Sequence, residues 1–548
     1  MHHSFDIMKN SIFILVLITV FSCQPEPQES PKLVVGIVVD QMRQEYLHRY
    51  YDTFGERGFK RLMHEGFELR NAHYNYAPTY TGPGHASVYT GTTPALHGII
   101  GNDFYNKQAK RMVYCAGDEN YQAVGSDSKN GNVSPSRMLT TTIGDELKLF
   151  TQKRSRVIAM AHKDRGAALP GGHMADAAYW YDNTVGQFIS STFYMEDLPA
   201  WVKIFSKENT IEQYVQQVWN PLMPIEKYVQ SGPDDTPYES KLSGKEKPVF
   251  PYDLTGLTKE KGLYETFLYT PFANDLLTNF AIASIDAEQL GQREVTDLLA
   301  ISYSTPDYLG HAVGPNAIEL QDMYMRLDKN IEQLLNKLDA TIGKGKYTVF
   351  LTADHAVAEV PQYLVDHKVP AGYFSNSNLR VRLAEHLKGI YPNTEIIENI
   401  SNEQIFLKDE ILANPALRDE VQKRIINFLI NTEGVYMAYT DEHMLQSDFN
   451  AGGVKGLLLR GYNQKRSGHI LYQLQPGWFS SSRVQGTTHG SVYTYDTHVP
   501  VLFYGNGIRQ GNSVHAYSIT DIAPTIAMLL NIKLPNGSSG HPIAEVLK

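Results

Sequence analysis

Residues 32–40 read K-L-V-V-G-I-V-V-D, an unbroken apolar run that ends in the carboxylate of Asp40. Continuous apolar runs of this kind are typical of parallel strands that are buried on both faces of a sheet. The carboxyl ends of such strands form the edge where open α/β sheets place their functional sites. The stretch therefore predicts a buried strand that delivers Asp40 to a site.

Further apolar runs repeat this design along the chain, at residues 157–161, 296–303, 347–352 and 499–504. Between two of them, residues 317–338 carry apolar side chains at spacings of three and four, which predicts an amphipathic helix. Strands that alternate with helices indicate a largely parallel, doubly wound α/β sheet. We therefore predict one α/β catalytic domain over residues 32–548.

Two stretches break the alternation of strands and helices. Residues 185–290 are rich in aromatic side chains and prolines, and residues 365–480 contain helical patterns of their own, such as 414–429. We interpret both as insertions into the core that cap the cleft at the edge of the sheet.

Aspartate and histidine side chains cluster at the ends of the predicted strands. These residue types are ligands for divalent metal ions. Each alone has a simpler explanation, such as a polar strand end, a loop histidine or a surface pair at helical spacing. Together they number six, as two zinc sites with three protein ligands each and an open position would require. The six are Asp40, Asp307, His311, Asp354, His355 and His489.

Residues 79–89 read T-Y-T-G-P-G-H-A-S-V-Y and have the features of a helix start. The first N–H groups of a helix are unpaired and attract anions, and proline is tolerated in the first turn. A hydroxyl such as that of Thr81 could be an N-cap or a nucleophile, and this stretch alone favours the N-cap.

The N-terminus predicts export. From a start at Met8, a lysine and a dozen mostly apolar residues lead to Cys23, the pattern of a bacterial lipoprotein signal within residues 1–23. Residues 24–31 are a polar tether, and a lipid on Cys23 would hold the protein at a periplasmic membrane surface. Cys115 is then left without a partner, and we expect a buried structural thiol.

The overall charge sets limits on the partners. The chain has 49 basic and 59 acidic residues and a formal net charge of −10. A nucleic-acid-binding surface is excluded as the main function, because it would show a basic excess. An anionic small molecule would have to be attracted by local cations instead.

Taken together, these motifs resemble the alkaline phosphatase superfamily, and within it the phosphate-irrepressible alkaline phosphatases of the PafA type. The resemblance runs from about residue 32 to the C-terminus. It rests on V-V-D-Q-M-R (38–43), P-T-Y-T-G-P-G-H-A (78–86), H-G-I-I-G-N (97–102), H-K-D-R-G-A (162–167), S-T-P-D-Y-L-G-H (304–311), T-A-D-H (352–355) and T-T-H-G (487–490).

The resemblance implies an alkaline phosphatase-like fold and a phosphomonoesterase with two Zn²⁺ ions and a phosphothreonine intermediate on Thr81. It implies that Asp307, His311 and His489 hold one zinc, and that Asp40, Asp354, His355 and the Thr81 oxygen hold the other. It assigns Asn102, Lys163 and Arg165 to the phosphoryl oxygens. We expect phosphate monoesters as substrates with broad leaving-group tolerance, inorganic phosphate as a product inhibitor, and a monomer.

Alternatives remain within the superfamily. A nucleotide pyrophosphatase/phosphodiesterase shares the threonine start and the asparagine but lacks the pair formed here by Lys163 and Arg165. Sulfatases need a cysteine or serine in a C/S-x-P-x-R pattern, which Thr81, Pro83 and His85 do not fit. Phosphoglycerate mutases of the superfamily use serine and work in the cytoplasm, which the signal segment disfavours. A non-enzymatic binding scaffold would have lost a metal ligand or the nucleophile, but all six ligands and Thr81 are present.

Overall fold

The computed structural model describes residues 29–242, 245–481 and 483–548. The predicted signal segment and the tether up to residue 28 lie outside the described residues. In chain order the strands β1 to β20 are Leu33–Val39, Phe67–Leu69, Ala72–His73, Asp103–Asn106, Arg111–Tyr114, Ala123–Val124, Val157–Ala161, Ala177–Asp182, Gln187–Ser191, Asp297–Tyr303, Tyr347–Thr352, Gly372–Phe374, Ile397–Ser401, Gln404–Leu407, Val435–Thr440, Ile470–Leu474, Trp478–Ser480, Val501–Gly505, Gly511–Ser513 and Tyr517–Ser518.

The helices complete the element list. In chain order α1 to α20 are Glu45–Arg49, Phe59–Glu65, Thr81–Thr90, Pro94–His97, Ile143–Phe150, Asp164–Gly171, Ala200–Glu208, Ile211–Tyr214, Leu263–Thr266, Pro271–Ala287, Thr305–Val313, Ile318–Thr341, Pro361–Asp366, Asn376–Ile390, Asp409–Leu412, Pro415–Ile430, Asp441–Leu445, Gly453–Gly461, Thr494–Thr497 and Ile522–Leu530.

A ten-stranded sheet forms the centre of the fold, in the order β19-β2-β18-β11-β1-β10-β7-β8-β9-β6. Its middle strands β11, β1, β10, β7 and β8 are mutually parallel and buried. The strands predicted around residues 32–40, 157–161, 296–303 and 347–352 are all among these five. The predicted largely parallel α/β fold is therefore confirmed.

The run at residues 499–504 is buried as expected, but its direction differs from the predicted design. It forms β18, which pairs antiparallel with β11 and with β2. Because β18 runs the other way, its first residues lie at the carboxyl edge of β11. The chain that carries His489 therefore reaches that edge before β18 begins, rather than after it ends.

The amphipathic helix predicted at residues 317–338 is α12, and its apolar stripe is buried in the main core. Helix α3 begins at Thr81, where residues 79–89 predicted a helix start. Gly84 is required in this helix because a Cβ there would lie 2.1 Å from the carbonyl oxygen of Asp354. The close approach brings the first turn of α3 against the end of β11.

The second stretch that departs from the alternation builds a smaller unit. Strands β13, β14, β16 and β15 form a separate four-stranded sheet, and α14 and α16 contribute to its own apolar cluster. Helix α16 matches the helix predicted at 414–429, with Asn414 capping it through the N–H of Leu417. The two insertion boundaries themselves remain predictions.

Within the residues that the structure describes, no helix combines the length and the apolar character needed to cross a membrane.

Candidate active site

The carboxyl edge of the parallel strands gathers the predicted ligands. Asp40 directly follows β1, and its side chain is fully buried. Asp354 and His355 follow β11 and are equally buried. Asp307 lies in the first turn of α11, after β10, and His311 is one turn further along the same helix. The common edge explains why residues distant in sequence meet here.

One group of possible metal ligands consists of Asp307, His311 and His489. The Nε2 atom of His311 lies 3.1 Å and that of His489 lies 3.7 Å from Oδ1 of Asp307. Asp307 is only 3% exposed, so it does not form the simple surface pair that its spacing from His311 would also allow. The geometry brings together all three residues predicted for the first zinc.

A second group shares Asp307 with the first and adds Asp40 and His355. Nε2 of His355 lies 3.4 Å from both Oδ1 of Asp40 and Oδ2 of Asp354. Those two carboxylate oxygens are buried and have no hydrogen-bond partner among the described residues. The predicted ligand Asp354 thus lies beside this group, while Asp307 joins it.

The three histidines are oriented in the same way. Their Nδ1 atoms contact backbone carbonyl oxygens, at 2.8 Å in His311, 2.9 Å in His355 and 2.7 Å in His489. A ring that donates through Nδ1 keeps a lone pair on Nε2, which is the usual arrangement in metal-ligating histidines. The partners are the carbonyls of Thr487, Ala356 and Thr79.

Electrostatics supports this orientation for two of the three rings, whereas Asp307 raises the pKa of His311 although burial opposes its charge. Burial lowers the pKa of His355 to about 3, and burial together with His355 holds the pKa of His489 well below its usual value. Both rings are therefore neutral at physiological pH and can act as ligands. Burial and the neighbouring carboxylates raise the pKa of Asp40 and of Asp354. The donor set and its unpartnered oxygens fit divalent metal ions, because such ions would offset this cost.

Lys163 connects the two ligand groups. It stands directly before α6, after the turn from β7, and its Nζ donates to Oδ2 of Asp40 at 2.7 Å and to Oδ2 of Asp307. Although burial opposes the charge, these two carboxylates raise the pKa of Lys163. The ammonium therefore stays protonated between the two groups.

Arg165 lies in the first turn of α6, and its guanidinium is held in place by Tyr114. The Tyr114 hydroxyl accepts a bond from Nη1 of Arg165 at 3.1 Å and donates to Asp164. The Nε atom of Arg165 is buried and has no partner in the described part of the chain. Sequence analysis did not identify Tyr114, because a tyrosine on a short strand carries no motif signal.

Asn102 is positioned against the first turn of α3. Its Oδ1 accepts a bond from the N–H of Gly82 at 2.7 Å, and its backbone carbonyl accepts one from the N–H of Cys115. Because its side-chain oxygen Oδ1 is engaged, Asn102 can offer the NH₂ group of its side chain to a ligand. Cys115 is fully buried beside it, as expected for a structural thiol, and burial raises its pKa to about 12.

Thr81 is the first residue of α3, and the cap position belongs to Tyr80. Thr81 is 1% exposed, and its hydroxyl lies 3.4 Å from Nε2 of His355. The neighbouring Thr79 hydroxyl instead donates to the carbonyl of Ser491 at 3.0 Å. Neither threonine caps the helix, so the N-cap interpretation of Thr81 is wrong, and its hydroxyl faces the ligand cluster.

Gln41 is a further residue that sequence analysis missed. Its Nε2 donates to Oδ1 of Asp307 at 2.5 Å, and its N–H donates to Oδ1 of Asp354 at 3.2 Å. Its φ of 69° is a left-handed value that is rare outside glycine. In the sequence, Gln41 is marked only by its position directly after Asp40. That position does not predict its hydrogen bonds to Asp307 and Asp354.

Two clefts flank the ligand cluster. One, with a cavity volume of about 120 Å³, lies beside His489 and Tyr80 and reaches Glu403 and Trp478 of the smaller unit. The other, of about 460 Å³, lies beside His311. The two clefts meet at Phe479, Ser480 and Thr488, which line both of them.

Comparison with known proteins agrees with this geometry. The profile of the family described as Type I phosphodiesterase / nucleotide pyrophosphatase matches residues 34–498. A protein of Myroides odoratus named "Calcium-transporting ATPase" is 46% identical over 95% of this chain and 96% of its own length. Alkaline phosphatase PafA of Elizabethkingia meningoseptica is 42% identical over 94% of each chain.

A crystal structure of alkaline phosphatase PafA superimposes with a TM-score of 0.90 at 40% identity, covering 95% of this chain and 99% of that one. The predicted alkaline phosphatase-like fold and the prediction of an enzyme of this group are thereby confirmed. The chain belongs to the type I phosphodiesterase/nucleotide pyrophosphatase family within the alkaline phosphatase superfamily.

Proposed function

We propose that the protein is an exported, zinc-dependent phosphomonoesterase that acts through a phosphothreonine intermediate on Thr81. The observation that carries the proposal is the pair of ligand groups whose three histidines all direct Nε2 towards buried carboxylates, with the Thr81 hydroxyl beside them. The family assignment and the alkaline phosphatase relatives support the same reaction class.

Asp307, His311 and His489 would hold one Zn²⁺, and Asp40, Asp354 and His355 the other, with Asp307 close enough to contribute to both. When bound, two divalent ions lower the pKa of nearby hydroxyl groups and neutralise charge on the phosphoryl and leaving-group oxygens. The Nδ1 contacts keep each imidazole ready to bind through Nε2. Gln41 orients the Asp307 and Asp354 carboxylates from outside.

Thr81 would attack the phosphorus atom through its hydroxyl oxygen and lose its proton to solvent, while the bond between phosphorus and the ester oxygen breaks and the leaving group takes up a proton from solvent. A second attack, by water, would then release inorganic phosphate and restore the Thr81 hydroxyl. The Asn102 contact to the N–H of Gly82 fixes the first turn of α3, which begins with Thr81.

Charge supports a monoester as substrate. Two divalent ions carry four positive charges and the three carboxylates carry three negative charges, which leaves a net charge of +1. Lys163 and Arg165 raise this net charge to +3. A phosphate monoester presents three nonbridging oxygens with two negative charges, whereas a diester presents two oxygens with one. The excess cationic charge therefore suits the monoester dianion, and the two open clefts suit varied leaving groups.

The family profile keeps one alternative open, a nucleotide pyrophosphatase/phosphodiesterase. The deciding experiment compares kcat/KM for an aryl phosphate monoester and the matching methyl aryl diester, using the zinc-loaded mature chain from Gln24. We expect a strong preference for the monoester, and a selective loss of monoester activity in the Lys163→Ala/Arg165→Ala variant. A preference for the diester that this variant retains would instead support the phosphodiesterase.

Further parts of the proposal follow from the same reaction. Inorganic phosphate should inhibit competitively, because it presents the same oxygens to Asn102, Lys163 and Arg165. Export and a lipid on Cys23 rest on the N-terminal sequence, and mass spectrometry of the membrane fraction tests them. The monomer is likewise a prediction, which light scattering of the mature chain tests.

A further inference from the structure

The cleft beside His489 has aromatic walls. Residues from the start of α3 and from the smaller unit line it. Aromatic rings have a negatively polarised face, which attracts cations as well as apolar groups. Five aromatic side chains line this aromatic cleft: Tyr80, Tyr472, Trp478, Phe479 and Tyr495.

The charged residues that line the aromatic cleft are both acids, Glu403 and Asp496, and in the described chain no lysine or arginine lines it. The larger cleft differs, because Lys241 and Arg483 line it together with a single acid, Glu265. The charges of the two clefts are therefore opposite. The aromatic cleft should repel an anionic group and attract a cation.

Both acids keep an oxygen atom that has no partner within the described residues. Oδ2 of Asp496 accepts a bond from the N–H of Ser491 at 2.7 Å, whereas its Oδ1 is buried and unpartnered. Oε2 of Glu403 accepts a bond from the Tyr80 hydroxyl at 3.4 Å, and its Oε1 makes no hydrogen bond to the described chain. Because a buried carboxylate without a cation is costly, a cationic ligand would offset this cost.

The backbone at Glu403 is unusual for a glutamate. Asn402 and Glu403 form the two-residue hairpin turn between β13 and β14, with φ values of 52° and 54°. Such positions favour glycine or asparagine, and other residues rarely adopt this conformation. The turn itself therefore does not explain the glutamate, whereas its place in the lining of the cleft gives its carboxylate a use.

Two of the aromatic rings are held in place by glycines. A Cβ at Gly490 would lie 2.4 Å from a ring carbon of Tyr80, and a Cβ at Gly434 would lie 2.5 Å from a ring carbon of Trp478. Both glycines also have a positive φ, which favours glycine at these positions. The walls are thus packed before a ligand binds, which lowers the entropy cost of binding.

The aromatic cleft adjoins the side of the ligand cluster from which a leaving group would depart. The Thr81 hydroxyl lies beside His355 of one ligand group, and His489 belongs to the other group. In an in-line displacement the attacking and leaving oxygens lie on opposite sides of phosphorus, so the leaving oxygen would face the group of His489. From there Tyr80 leads into the cleft, because its ring lies 5.8 Å from that of His489 and its hydroxyl contacts Glu403.

We propose that the aromatic cleft binds the leaving group of the substrate and favours alcohols that carry a protonated amine. This inference rests on the proposed phosphomonoesterase activity and adds a preference to its broad leaving-group tolerance. The ammonium group would pair with Glu403, and the carbons beside it would pack against the aromatic rings. Asp496 would add to the attraction, and alcohols that carry a carboxylate or a second phosphate would be disfavoured.

The test compares three phosphate monoesters whose alcohols have chains of the same length: aminohexyl phosphate, hexyl phosphate and carboxypentyl phosphate. A six-carbon chain is about as long as the Tyr80 side chain, which lies between His489 and Glu403. The zinc-loaded mature chain is assayed at pH 8. Burial raises the pKa of Glu403 and of Asp496 to about 7 each, so both are ionised at this pH while an alkyl amine stays protonated.

We expect kcat/KM to be about tenfold higher for aminohexyl phosphate than for hexyl phosphate, and lowest for carboxypentyl phosphate. Glu403→Gln should reduce the tenfold preference to about twofold or less, whereas Glu410→Gln, which removes the same charge at an exposed position, should retain it. Phe479→Leu keeps an apolar side chain without the aromatic face and should reduce the preference in part. Equal values for the amine and the alkyl ester in wild type, or an undiminished preference in Glu403→Gln, would overturn the inference.

A second measurement separates this inference from the proposed function, because it needs no turnover. Calorimetry with zinc-loaded Thr81→Ala gives Kd for the same esters, and we expect aminohexyl phosphate to bind about tenfold more tightly than hexyl phosphate. If wild type hydrolyses neither ester while this difference in Kd is found, the proposed function fails and the cation-selective cleft stands. Equal Kd values would overturn the inference even if wild type hydrolyses both esters.

Discussion

Two groups of buried carboxylates in this protein have different surroundings. Asp40, Asp307 and Asp354 lie among histidines and Lys163 at the edge of the parallel sheet. Glu239 and Glu319 lie in a loop and a helix start, with no cationic side chain paired to them in the described chain. The comparison indicates that a buried carboxylate is balanced in one of three ways: by a protein cation, by a metal ion or by a proton.

The largest effect should come from the nucleophile. Thr81→Ala should reduce turnover of an aryl monoester by at least about a thousandfold, because it removes the hydroxyl that lies 3.4 Å from Nε2 of His355 in the ligand cluster. Zinc content should remain at the wild-type value, because the carboxylate and imidazole ligands are unchanged. Kinetics and metal analysis of the same sample test both statements.

Thr79→Val is the matched control, because it removes the neighbouring hydroxyl, which contacts the carbonyl of Ser491. The backbone carbonyl that orients His489 stays in place. This variant should lose stability but retain turnover within about tenfold. Near-normal turnover in Thr81→Ala would mean that the start of α3 only binds anions.

The second prediction tests whether metal ions balance the carboxylates at the sheet edge. His311→Ala should lower zinc from two ions per chain towards one, because His311 belongs to only one of the two ligand groups. Metal analysis after dialysis measures this. His367→Ala is the matched control, since His367 also contacts a backbone carbonyl through Nδ1, at 2.7 Å, but is exposed. Two zinc ions per chain in His311→Ala would contradict the assignment.

The sequence predicted the parallel core and its site because both leave local signals. The apolar runs that end near Asp40, Asp307 and Asp354 identify strands and place their ligands at one edge. The antiparallel direction of β18 was not predictable, since strand composition does not encode which neighbour a strand pairs with. His489 was nevertheless identified, because it is a histidine that flanks the apolar run at residues 499–504.

The contacts made by Gln41 and Tyr114, and the burial of Glu239 and Glu319, could not be predicted in the same way. Gln41 reaches both ligand groups only because of its left-handed backbone, and Tyr114 meets Arg165 across 51 positions. Glu239 and Glu319 are 80 residues apart, and charged residues in loops are usually solvated. These residues are important because they are buried, and burial is determined by the tertiary structure.

The smallest effect concerns Glu403, which illustrates balance by a proton. It lies in the cleft beside His489, and the one hydrogen-bond partner of its carboxyl group in the described chain is the Tyr80 hydroxyl, at 3.4 Å. Burial raises its pKa from 4.5 to about 7. The folded protein therefore favours the protonated form of Glu403 up to about pH 7.

A raised folded-state pKa contributes stability that is fully present below pH 4.5 and is lost as the pH rises to about 7. Glu403→Gln, which mimics the protonated form, should therefore gain stability relative to wild type across this interval, by at most about 3 kcal/mol. Denaturant unfolding at pH 5 and pH 8, at equal zinc, measures the difference. Glu410→Gln, at an exposed carboxylate of α15, controls for net charge. A difference between wild type and Glu403→Gln that does not change with pH would show that this carboxylate is balanced by something other than a proton.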